Sequence, residues 1–214
     1  MVSEHVTKHY STLGTQVVEN LKKRNFEAYY CATKEEAAQK ALSLIPQGDV
    51  VSWGGSITLD QLGLREMVHA GNFSVMDRDR TSSQAEREEM MRQALLCDTF
   101  LTGTNAISAD GQLINIDGGG NRVAAITYGP KQVIVVVGMN KVVPTLEAAW
   151  QRARNIAAPT NVQRYNADKT PCYYTGSCED CKTANTLCAF MHTTRFCKPA
   201  GRIKVILVGE ALGF

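Results

Sequence analysis

Three groups of residues in this chain have the types and spacing that do chemistry. The first is Trp53-Gly54-Gly55-Ser56-Ile57-Thr58. A glycine-rich turn after a strand and before a helix exposes backbone N–H groups, and hydroxyls at Ser56 and Thr58 add donors, so it suits phosphate or carboxylate. The plainer reading is that the glycines make the turn and Thr58 caps a helix. The pattern is neither the dinucleotide fingerprint nor a Walker loop.

The second group runs from Asn105 through Asp110 to Asn115-Ile-Asp117-Gly118-Gly119-Gly120-Asn121-Arg122. Asp110 and Asp117 have the chemistry of a general acid or base. Arg122 suits a carboxylate or phosphate, and Asn105, Asn115 and Asn121 suit substrate orientation. Asp-Gly and Gly-Gly-Gly-Asn are also ordinary turn chemistry. Three glycines in a row weaken a turn between short strands, and a close backbone approach to a ligand at Gly118 and Gly120 would account for that cost.

The third group is a run of thiols. Five of the seven cysteines lie between Cys172 and Cys197. Cys178-Glu-Asp-Cys181 is a two-residue-spaced pair, with five residues intervening between Cys172 and the pair and six between the pair and Cys188. Four thiolates at this reach suit a zinc ion or an iron–sulfur cluster. His192 and Cys197 are alternative ligands, and the bland alternative is a loop of packed, reduced thiols or a redox-labile pair. Elsewhere Cys31 and Cys97 read as small buried hydrophobes, Met90 and Met91 as core, and Arg78-Asp-Arg80 as solvated charge.

The elements that must position these groups follow from periodicity. Val6, Tyr10, Leu13, Val17 and Leu21 form one helical stripe. Phe26–Cys31, Asp49–Trp53, Phe73–Asp77 and Asp98–Thr104 read as strands, Gln132–Gly138 as a β-branched central strand and Ile203–Val208 as the last. Helices alternate with them: one opens at the capping box Thr33-Lys-Glu-Glu36, one runs from Thr58 to about His69, one opens at the box Ser83-Gln-Ala-Glu86, and one runs from Pro144 to before Pro159. Such alternation predicts an α/β fold with a parallel-rich sheet flanked by helices. Leu113–Ile116 and Val123–Tyr128 read as two strands joined by Asp117–Arg122, a reversal. The expectation is a single domain over 1–214, with an irregular, cysteine-rich C-terminal loop over 172–197 inserted before the last strand.

The 214 residues carry 23 Lys and Arg against 21 Asp and Glu, a net charge of +2. That balance argues against a nucleic-acid surface. No stretch has the length of a membrane span, and Met1–Tyr10 has no apolar signal core. A cytoplasmic location with reduced thiols is expected. Serine-hydrolase and zinc-protease motifs do not occur.

The motifs Trp53–Leu59, Thr102–Ile107, Asn115–Ala125, Tyr128-Gly-Pro130 and Ile134–Gly138, with the tail Lys169–Cys172, Gly176–Cys181, Cys188 and Ile206–Phe214, resemble the LUD-domain family. They are similar to its small, stand-alone lactate-utilization type. The resemblance covers nearly the whole chain. It implies a fold like ribose-5-phosphate isomerase and CoA transferases, and a role as an accessory or catalytic component of L-lactate oxidation to pyruvate. Implied partners are a small anionic ligand and iron–sulfur proteins of a lactate-utilization complex, with self-association into a homo-oligomer also open. No motif places the CoA-transferase glutamate, and Ala189–Arg195 with Cys197 departs from the family pattern. Two other readings stay open: a metal- or redox-responsive module built on the C-terminal cysteines, and a sugar-phosphate isomerase or transferase.

Overall fold

The computed structural model describes residues 3–165 and 167–214. The chain opens with helix α1 (Glu4–Lys23), capped by the Ser3 hydroxyl, which accepts from Val6 N–H. The buried residues of α1, Gly14, Val17, Val18 and Leu21, lie in its C-terminal half, and Tyr10 and Leu13 pack partly buried against the same cluster. Strand β1 (Glu27–Cys31) and helix α2 (Lys34–Ser43) follow. Thr33 caps α2, and the Glu36 carboxylate reaches back to Ala32 N–H, one residue before the cap. Strand β2 (Val50–Trp53) leads into α3 (Ile57–Gln61) and α4 (Leu64–Ala70). The single helix expected from Thr58 to His69 is therefore two. Gly63, at φ +64°, breaks it, and Ser56 rather than Thr58 is the cap.

Strand β3 (Ser74–Met76) and helix α5 (Gln84–Gln93) come next. The Ser83–Glu86 box caps α5 as read from the sequence, with the carboxylate on Ser82. The helix buries none of its residues, so the core expectation for Met90 and Met91 fails. Strands β4 (Thr99–Thr102), β5 (Ala106–Ser108) and β6 (Leu113–Asp117) follow. Helix α6 (Asn121–Thr127) then replaces the strand expected over Val123–Tyr128. A short β-branched run carries no period long enough to tell helix from strand. Gly120 at φ +78° swings the chain into the helix, and Asp117 Oδ2 accepts from Val123 N–H in its first turn.

The chain continues through β7 (Gln132–Gly138), β8 (Val142–Val143), α7 (Leu146–Arg152) and α8 (Ala158–Arg164). A π-helical turn, Ala153–Ala157, joins α7 to α8, so the helix does not stop before Pro159. Pro159 is the second residue of α8, directly after the π-helical turn. The segment 172–197 is not wholly irregular: it includes most of α9 (Pro171–Thr175) and all of β9 (Phe190–Thr194). Strand β10 (Ile203–Val208) matches its expected bounds.

Six strands form an entirely parallel sheet in the order β1-β10-β7-β4-β2-β3. Val133, Val135 and Val137 of β7 face the cluster under α1, while Ile134 and Val136 face the cluster under α2, α3 and α4. Burial on both faces explains the uninterrupted apolar run in β7. A second sheet, β8-β5-β6-β9, is mixed: β5–β6 and β6–β9 are antiparallel and β5–β8 is parallel. It packs Ile107 and Leu113 onto the α1 side and Ile114 and Ile116 toward the α7 side. This places the end of β6, with Asp117, beside the carboxyl edge of the parallel sheet, where open α/β folds bind ligands.

Candidate functional site

A cleft of about 340 Å³ lies at that edge. The segment after β2 supplies Gly55, Ser56, Ile57 and Thr58; the segment after β4 supplies Gly103, Thr104 and Asn105; the end of β6 supplies Asp117, Gly118 and Gly119, and α6 adds Asn121 and Arg122. The first two sequence groups therefore meet in space. Gly54 and Asn115 stand just behind the wall. A Cβ on Gly54 would lie 2.8 Å from Arg122 Cδ, so glycine there lets the arginine pass. Gly120 packs on Phe190.

Arg122 is the hub of the cleft. Its Nε donates to Asp117 Oδ1 (2.9 Å), its Nη1 to Gly103 O and Asn115 Oδ1, and its Nη2 to Asn105 Oδ1 and Ile116 O (both 2.9 Å). All five guanidinium donors are thereby committed. Arg122 ties β4, β6 and α6 together and is not free to fork onto an anion. Asp117 is likewise committed, with one oxygen on Arg122 and the other on Val123 N–H.

Asp110 is not among the cleft-lining residues. It closes the β5–β6 turn, accepting from Ser108, Gln112 and Arg24, whose hydrogen bonds outweigh burial and hold its carboxyl below the usual range. Asp110 therefore stands apart from the cleft that holds Asp117.

The remaining cationic charge of the cleft comes from residues outside those two sequence groups. Arg78 is buried, not solvated as expected; its Nε has no hydrogen-bond partner, with Asp79 Oδ1 4.0 Å away, and burial lowers its pKa. Arg87 binds Asp79, and Arg164 stacks on Tyr165 at 5.1 Å. Arg78 Nη2 and Arg164 Nη1 both approach Gly55, at 3.0 and 3.7 Å from where its Cβ would be. Met91 lines the cleft and touches Arg78 through sulfur.

Lys141 follows the central strand β7 and is buried. Its Nζ donates to Thr58 Oγ1 at 3.0 Å. Among the described residues it has no carboxylate within ion-pair distance. Burial, then the Arg152 and Arg122 charges, bring its pKa down from 10.5 to about 7. Arg78 was obscured by its charged neighbours. Lys141 was legible only as the residue just past the carboxyl end of the strongest strand. The closing residues Gly213 and Phe214 complete the wall.

A second, smaller cavity of about 40 Å³ is lined by Cys172, Cys178, Cys181 and Cys188. The third sequence group therefore also converges. Arg154 pairs with Asp180 at 2.8 Å and contacts Cys178 Sγ at 3.5 Å. Burial first, then the neighbouring thiols, push Cys188 up to about 11. Among the described residues no three His, Cys, Asp or Glu side chains stand in metal-holding geometry. The two alternative ligands are elsewhere. His192 bonds Thr127 and Thr194, and Cys197 is buried under β10, where its sulfur accepts from Ile203 N–H. Cys31 and Cys97 are buried as expected, and the Cys97 thiol is pushed up to about 12 by burial. No described helix is long and apolar enough to cross a membrane.

A family model described as LUD domain matches residues 14–208. No curated protein matches the chain. Among solved structures, a DUF162 family protein from Deinococcus radiodurans aligns with TM-score 0.52 and 15% identity over 93% of this chain and 98% of that one. eIF2B beta from Chaetomium thermophilum aligns with TM-score 0.38 and 19% identity over 54% and 44%. Ribose 5 phosphate isomerase A from Neisseria gonorrhoeae aligns with TM-score 0.33 and 14% identity over 53% and 54%. The first of these likenesses shows the fold.

Proposed function

The chain belongs to the LUD-domain family, which is linked to lactate utilization, and from that premise we propose that it serves hydroxy-acid oxidation, L-lactate to pyruvate, as an accessory or catalytic component. Its cleft takes a small carboxylate or phosphate-bearing anion. One observation carries this reading: five cationic side chains line the cleft against a single carboxylate side chain, Asp117, which Arg122 already occupies. Lys141, buried, and the more open Arg164 have no carboxylate within ion-pair distance among the described residues, and buried Arg78 shares only Asp79, 4.0 Å from its Nε. Buried cations without counter-charge are costly unless an anion arrives. The helices at the cleft are short, five residues for α3 and seven for α6, so side chains rather than helix dipoles supply the field.

The test is a thermal-shift and calorimetric panel of lactate, pyruvate, ribose 5-phosphate and nucleotides. At least one anion should raise the melting temperature, and Arg78→Ala with Arg164→Ala should weaken that binding about tenfold or more. A panel with no response ends the proposal. A response to ribose 5-phosphate alone transfers it to sugar-phosphate chemistry. The iron–sulfur partners and the cytoplasmic setting belong to the same proposal and are tested by co-purification from cells.

A second reading is favoured by the thiol cavity. Four cysteines line one small void; a thiophilic metal, zinc or an iron–sulfur cluster, would have to draw them into ligand geometry, whereas a redox-responsive pair needs only two. Protein purified anaerobically and assayed for metal and visible absorption decides it: a metal-free, colourless, fully folded protein removes the metal branch.

A further inference from the structure

Lys141 is the one cleft cation that the anion-binding role does not fully explain. An arginine holds an anion as a fork and cannot give up its proton. A lysine can, and Lys141 is placed where doing so is favoured. Its Nζ is buried at the cleft wall, the charges of Arg122 and Arg152 bear on it, and no described carboxylate pairs with it. Among the described residues, Arg152 is itself held only by the carbonyls of Asn105 and Asn140. The nearest polar partner of Nζ is the Thr58 hydroxyl, which in turn reaches Leu212 O at 3.5 Å. With the Thr58 proton on Leu212 O, the Thr58 oxygen accepts one N–H from Lys141. The nitrogen lone pair is then left free.

We propose that Lys141 is the reacting amine of the cleft and that the ligand class is a small anion bearing an aldehyde or ketone carbonyl. This rests on the anion-binding reading above and deepens it. The Nζ lone pair attacks the carbonyl carbon, and the carbonyl π electrons pass to oxygen, which takes up a proton. Nitrogen loses its two protons, the oxygen departs as water, and a C=N bond joins ligand to Lys141. No oxidant or cofactor is consumed. The lowered pKa of Lys141 supplies neutral amine near pH 7. Arg78 and Arg164 remain to hold the ligand's anionic end.

The experiment is reductive trapping on the full chain. Protein is incubated with pyruvate and cyanoborohydride at neutral pH, and in a parallel arm with ribose 5-phosphate, then digested and mapped by mass spectrometry. The expected result is a carboxyethyl or sugar-phosphate adduct on Lys141, formed roughly tenfold or more faster than on exposed Lys131. The arm that labels Lys141 identifies the carbonyl source as a 2-oxo acid or a sugar phosphate. Lys141→Arg, which keeps the charge, removes the adduct. Labelling of Lys141 no faster than Lys131 overturns the proposal, and the peptide map reads this on the unmutated protein. Stabilisation by pyruvate or ribose 5-phosphate without an adduct overturns the amine chemistry and leaves the anion site standing. Neither stabilisation nor adduct overturns both.

Discussion

Arg122 and Lys141 sit in one cleft and meet opposite demands. Arg122 spends all five donors on the protein, so its charge is structural. Removing it leaves Asp117 buried without its cation and strips Asn105 and Asn115 of a donor. Breaking a buried pair of this kind costs about 3–5 kcal/mol. Arg122→Ala is therefore expected to lose that much stability in urea denaturation. Loss of ligand binding with an unchanged denaturation midpoint would mean that Arg122 clamps the ligand directly. The sequence named Arg122, Asp117 and the three asparagines as a group. It did not reveal that their hydrogen bonds close on one another, because partner choice depends on the distance between β4, β6 and α6.

At the scale of elements, the turn from β6 into α6 carries the most consequence. The Asp117–Arg122 segment reverses a strand into a helix, not a strand into a strand. Gly120 makes this turn at φ +78°, a conformation that costs an L side chain about 1–2 kcal/mol. Gly119, one residue earlier, has no positive φ, and a Cβ there meets only Asn121 Oδ1 at 3.5 Å. Gly120→Ala is expected to lower the urea midpoint by an amount equivalent to about 1–2 kcal/mol, and Gly119→Ala to leave it nearly unchanged. Equal losses at the two positions would show that the turn is not set by the left-handed residue. The three glycines were legible as a site of special backbone, but which one bears the strain was not.

The cleft also couples to the stability of the whole molecule through Lys141. Its folded pKa is about 7, against 10.5 for an unperturbed lysine. Below about pH 7 both the folded and unfolded states are protonated, and the folded state bears the full cost of a buried charge facing Arg122 and Arg152. Between about 7 and 10.5 the unfolded chain holds more protons, so this contribution to stability rises with pH until the cost is gone. Lys141→Met should then be more stable than the parent at pH 6, with the gap narrowing toward pH 10. Denaturation midpoints across that range measure it; a gap that widens with pH contradicts the sign. A bound anion should reverse the trend in acid, since it supplies the missing counter-charge.

The linear chain determined the parallel α/β architecture, the two polar segments and the cluster of thiols. These rest on local properties: apolar period, capping boxes, β-branched runs and residue type. The sequence also carried the motifs by which the chain is placed in its family. Only the tertiary structure decided that Val123–Thr127 is helical, that Asp110 lies outside the cleft, and that Arg78 and Lys141 line it. It also separated His192 and Cys197 from the four thiols of the second cavity. Each of these outcomes depends on which distant strand edge a side chain meets. Burial and counter-charge, which turn a lysine into an amine and an arginine into a brace, arise only when those edges come together.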